Sequence, residues 1–199
     1  MKHLTAVLII ALTILLPAAY PAIAQDPEVT AGDVVDRETL KAFVHAAKAY
    51  LDNAASLPEY LAVLQEFRTE GVWKQGSVYL FAGTTDGVLI LHGANPDLEG
   101  QSVYDLEDAN GVKMTQELIA AAAQGGGFVE YLWPHPEIEG DTGSPKVSYA
   151  IPYSALGQDF VLGGGFYPAT ASTSVEDRSW GWLKSRPKTI LGTLLKDKE

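Results

Sequence analysis

Lys146 is the residue in this 199-residue chain best placed to do chemistry. It opens an apolar run, K-V-S-Y, that follows F-V-E-Y-L-W-P-H-P-E-I-E-G-D-T-G-S-P over residues 128–145. The whole stretch has the pattern of a strand, a Pro/Gly-rich turn and a second strand. An ammonium facing aromatic residues can hold a small carboxylate through a charge-assisted hydrogen bond. The bland alternative is a strand-end lysine whose head reaches solvent. Tyr131 and Trp133 share one face of the first strand because side chains alternate. Each offers a ring, and Tyr131 also a hydroxyl; both are equally compatible with a core. Tyr79, in the aromatic run S-V-Y-L-F-A-G-T-T, has the same two readings, and His92, ending the run after it, can donate to a carboxylate or sit exposed. Tyr149 lies three residues beyond Lys146 and points to the opposite face of a regular strand, so a bulge is needed for both to serve one site. These six residues, Lys146, Tyr131, Trp133, Tyr79, His92 and Tyr149, are the candidate ligand-binding set.

Other chemistries have little support. The chain has no cysteine, which excludes disulfides, thiol catalysis and zinc–thiolate sites. It has no Gly-x-Ser-x-Gly elbow and no His-Glu-x-x-His motif. The glycine runs at 125–127 and 163–165 are not phosphate cradles: the first follows a helical pattern as a C-cap, and the second lies in a strand, where it leaves room for close packing. Asp97, Glu99, Asp105, Glu107 and Asp108 lack the alternating ligand spacing of a calcium loop and are expected on a solvated acidic face. No catalytic residue, metal or cofactor is expected.

The formal charge of −11 argues against nucleic acid as a partner and against adhesion to an anionic membrane surface. Lys2 and His3, an apolar run from Leu4 to Leu16 and Ala22-Ile23-Ala24 form the three parts of a secretory signal peptide with cleavage near Ala24. The apolar run is shorter than the roughly 20 residues a membrane-spanning helix needs. The expected location is therefore periplasmic or secreted, with no integral membrane segment after cleavage.

Several elements must position the candidate residues. Asp36 caps an amphipathic helix over 37–54, with Leu40, Phe43, Val44, Ala47, Tyr50, Leu51 and Ala54 at helical spacing. A second helix starts at Pro58 and ends before Gly71. Strands follow at 77–85 and 88–92, joined by an Asp86-Gly87 hairpin turn. Val103, Tyr104 and Leu106 suggest one helical turn, and a third helix spans 112–123. The 128–149 hairpin and a last strand over 160–167 complete five strands. The expected class is α+β, an antiparallel five-stranded sheet with helices packed on it.

Residues 36–167 resemble a single Cache domain, the PAS-like extracytoplasmic sensor module of bacterial chemoreceptors and histidine kinases. The likeness rests on ordered pieces: the long first helix, V-Y-L-F-A-G-T-T-D-G-V-L-I-L-H, N-P-D-L-E-G-Q-S-V-Y-D-L-E-D-A-N-G, G-F-V-E-Y-L-W-P-H-P, P-K-V-S-Y and F-V-L-G-G-G-F-Y. It implies a sheet whose concave face encloses a short organic acid such as acetate, propionate, lactate or pyruvate, and no catalysis. Together with the patterns outside it, the expected division is a signal peptide over 1–24, a flexible leader over 25–35, the Cache domain over 36–167 and a tail with a short amphipathic helix over 168–199. Members of the family commonly sit between two membrane helices. Only about thirty residues follow the last strand here, none of them a spanning segment. The expectation is thus an exported, free-standing ligand-binding sensor module that works with a separate membrane histidine kinase or chemoreceptor. Two other functions are weighed: an interaction module with a vestigial pocket, docking through Trp180, Trp182 and Leu183, and a small secreted hydrolase built on His92.

Overall fold

The computed structural model describes residues 27–168. The expected signal peptide and the C-terminal segment with Trp180, Trp182 and Leu183 lie outside the described residues.

Among the described residues three α-helices and five strands follow in the order α1 (Arg37–Leu51), α2 (Leu57–Arg68), β1 (Tyr79–Thr84), β2 (Leu89–His92), α3 (Met114–Ala123), β3 (Gly127–Trp133), β4 (Ser144–Ala155) and β5 (Gln158–Phe166). The strands form one antiparallel sheet, ordered β2-β1-β5-β4-β3. It is the PAS-like α+β arrangement expected of a Cache domain.

Local chemistry sets the boundaries. The Asp36 carboxylate accepts the Thr39 N–H at 2.9 Å and starts α1. Ser56 does the same for α2 through Glu59. The Asp86-Gly87 turn needs its glycine: φ is +89°, and a Cβ there would lie 2.7 Å from Tyr104 Cβ. The turn after β4 is tighter than the pattern suggests, so β4 runs on to Ala155 and β5 starts at Gln158.

Two cores cover the sheet. Leu40, Phe43, Val44, Ala47 and Leu51 of α1, with Val63, Leu64 and Phe67 of α2, pack on Leu80, Ala82, Leu91, Val147, Tyr149, Ile151, Tyr153 and Leu162. Trp73 closes that core beside Phe43, Tyr50 and Phe67, with ring centroids 5.1–6.0 Å apart. On the other face Met114, Leu118 and Ala122 of α3 pack with Phe81, Tyr131, Ala150 and Val161. Strand alternation makes this division: odd positions of β4 from Val147 face α1, and even positions from Lys146 face the α3 side.

Three expectations need correction. The leader is not free over its whole length, because Ala31 and Val34 are buried, and the Ala31 N–H donates to the Val72 carbonyl at 2.7 Å. Val103 to Leu106 form a turn rather than a helix, since the Val103 N–H is taken by the Gly87 carbonyl. The acidic group is not one solvated face either. Asp108 is buried and accepts N–H groups from Asn110, Val112 and Leu132. Glu99 binds Arg68 through both oxygens, at 2.9 and 2.7 Å, tying α2 to the loop after β2.

Candidate functional site

Lys146 is 2% exposed, on the α3 side of the sheet. Its neighbours come from every strand. Tyr131 of β3 stands directly opposite it in the β3–β4 register. Ser148, two residues along β4, pairs with Gly165 of β5, which in turn pairs with Tyr79 of β1. Gly165 leaves a trough between Ser148 and Tyr79, and the lysine chain lies in it. A Cβ at position 165 would meet Lys146 Cε and Ser148 Oγ at 2.5 Å. Across that trough Lys146 Nζ donates to the Tyr79 hydroxyl at 2.6 Å and lies 3.8 Å from the Tyr79 ring centre. The rings of Tyr167 and Phe81 are 5.3 and 5.8 Å from Nζ. Gly163 opens a second gap, filled by Phe81.

Around this lysine the polar groups are ordered. The Tyr131 hydroxyl and Ser148 Oγ share a hydrogen bond at 2.9 Å. The Tyr167 hydroxyl donates to the Pro134 carbonyl at 2.8 Å, and its ring packs tilted against His135 at 4.3 Å, fixing the turn after β3. His92 packs between Tyr79 and Trp133, with ring centroids at 5.0 and 5.9 Å. The Asn95 N–H donates to His92 Nδ1 at 2.9 Å, which leaves the neutral imidazole's proton on Nε2.

The electrostatics of the group are unusual. Burial pulls the Lys146 ammonium well below the ordinary lysine range. Among the described residues no carboxylate lies within ion-pair distance of it. Burial, and then the nearby Lys146, lower His92 to about 3. Burial raises Tyr79, Tyr131 and Tyr167 above the usual phenol range. The result is one buried nitrogen cation-former in a ring of neutral hydroxyl, imidazole and aromatic groups.

Five of the six candidate residues therefore meet: Lys146, Tyr131, Trp133, Tyr79 and His92. His92 is buried at 5% exposure rather than exposed at a strand end. Tyr149 does not join them. Its pairing with Phe128 and Gly164 is unbroken, with no bulge, so the odd spacing from Lys146 turns it under α1. There it packs on Phe128 and His45, with ring centroids at 4.7 and 5.8 Å. Ser148, Phe81 and Tyr167 belong to the group and were not among the candidates. Ser148 was accessible by alternation from Lys146; Tyr167 was not, because only the β5 register carries it there.

A depression of some 620 Å³ lies beyond the other end of β4, lined by Lys48, Thr85, Ile119, Tyr153, Asp159 and Phe160 among others. Its lysine is paired with Asp52 at 2.6 Å, so no buried unpaired charge faces it.

The family model of the Cache domain matches residues 36–188. The chain belongs to the Cache domain family. This Cache domain is 32% identical over 122 residues to the sensor histidine kinase MctS of Rhizobium johnstonii, covering 60% of the chain and 24% of the kinase. The chain thus spans about a quarter of that curated relative. Among solved structures it resembles a methyl-accepting chemotaxis protein from Vibrio parahaemolyticus RIMD 2210633, with 31% identity, a TM-score of 0.54 and coverage of 65% of this chain and 86% of that one. It also resembles a Cache chemosensory domain solved for its carboxylic acid recognition, with 25% identity, a TM-score of 0.56 and coverage of 65% and 91%. Cache domains are extracytoplasmic sensor domains of chemoreceptors and histidine kinases, and the family is not one of catalytic folds. No helix among the described residues is long and apolar enough to cross a membrane.

Proposed function

We propose that this Cache domain is an exported sensor module that binds a short organic acid and acts with a membrane histidine kinase or chemoreceptor. The observation that carries the reading is Lys146: fully buried, hydrogen-bonded to Tyr79, and without a carboxylate partner among the described residues. A buried lysine costs stability unless something pairs with it, and a ligand carboxylate is the group that fits. Tyr131, Tyr79 and the His92 Nε2–H can donate to its oxygens. Trp133 and the tyrosine rings suit a small apolar body. The likeness to a domain with carboxylic acid recognition supports the same ligand class. The signalling partner is inferred from the relatives, which are a kinase and chemotaxis proteins.

Thermal unfolding with acetate, propionate, lactate and pyruvate tests this. A ligand at 100 times its Kd stabilises by about 2.7 kcal/mol, which raises Tm visibly. At least one acid is expected to shift wild type and to leave Lys146→Met unmoved. No shift with any of the four, or an equal shift in the variant, would overturn the proposal.

A further inference from the structure

We infer that the site takes up its carboxylate together with a proton, which ends on Lys146, so that the net species bound is the neutral acid. The inference rests on the carboxylate reading above and adds how the site is charged before and after binding.

Every element around Nζ contributes a neutral group. β1 supplies Tyr79, β2 His92, β3 Tyr131 and Trp133, β4 Ser148, and Tyr167 follows β5. The inward residues of α3 are Met114, Leu118 and Ala122. The carboxylates of this region are engaged elsewhere: Asp141 accepts from the His135 and Gly143 N–H groups and from Ser144 Oγ, and Asp108 from Leu132. An ammonium has three N–H donors, and among the described residues one acceptor, the Tyr79 hydroxyl, is within hydrogen-bond distance. A neutral amine satisfies this environment with a single donated bond, and burial favours that form. A carboxylate arriving on the α3 side reverses the balance: its charge stabilises the ammonium, and its oxygens accept the remaining N–H groups. The step balances as amine plus carboxylate plus one solvent proton giving ammonium and carboxylate in contact, with no change in the net charge of the site. A dicarboxylate would leave one negative charge buried without a partner.

Calorimetric titration with acetate, propionate, lactate or pyruvate in buffers of different ionisation enthalpy reads the proton directly. The expected result is uptake approaching one proton per ligand. The affinity should fall by up to tenfold per unit as pH rises between the two Lys146 pKa values. Binding without proton uptake overturns the coupling and leaves the carboxylate reading standing; no binding by any of the four overturns both. NMR titration of the Lys146 ε-carbon in the protein alone gives an independent check. Titration well below the ordinary lysine range is expected, and a value of about 10.4 would overturn the inference without any ligand being used.

Discussion

At Lys146, stability and binding should oppose each other. A buried ionisable group without a charged partner costs stability, and an apolar side chain of similar size removes that cost. Lys146→Met is therefore expected to raise the urea midpoint at neutral pH while removing carboxylate binding. The sign follows from proton linkage: burial lowers the folded-state proton affinity, so the unfolded chain holds the proton more tightly, and wild type gains stability as pH rises towards about 10.4. The variant lacks that slope, and a destabilised Lys146→Met would show that the ammonium is well paired. His92 makes a second pH-dependent contribution. Its folded pKa of about 3 lies below the ordinary value of 6.5, so the folded state resists protonation. Stability present above about pH 6.5 is lost as pH falls towards 3, at about 1.36 kcal/mol per unit. His92→Gln should flatten the denaturant midpoint over that window relative to wild type; parallel profiles would contradict the assignment.

Among the elements, β5 carries the least obvious design. Three consecutive glycines in a strand weaken it unless the missing side chains are used. Gly165 gives Lys146 its path to Tyr79, Gly163 receives Phe81, and Gly164 faces α1 with Val44 Cγ2 at 3.1 Å from a built Cβ. Gly165→Ala should cost about 1–3 kcal/mol and weaken acid binding, because Lys146 and Ser148 must both move. Gly164→Ala should affect stability alone, since it meets only the α1 core. Paired denaturation and calorimetry on the two variants separate these outcomes, and unchanged binding in Gly165→Ala would refute the trough. The period of the pattern made the three helices and five strands legible in the sequence, along with the shared face of Tyr131 and Trp133. The doubt over Tyr149 was also legible, because an odd spacing cannot keep two residues on one face. The sequence could not show the pairing of β1 with β5, which brings Tyr79 to Lys146, or the β4–β5 register, which brings Tyr167. Nor could it show that Asp108 is buried, since one of its three N–H partners, that of Leu132, lies in a strand 24 residues away. Long-range register decides both.

Over the whole molecule, the sheet separates two tasks. The larger core under α1 and α2 holds the fold together, and the smaller one under α3 shares its face with Lys146. A crystal structure with bound propionate decides whether Lys146 receives a carboxylate. A carboxylate oxygen is expected about 2.7–2.9 Å from Lys146 Nζ, with the carbon chain against Trp133 and the tyrosine rings. Propionate bound in the groove lined by Tyr153 and Phe160, or on the α3 side without touching Nζ, would contradict it.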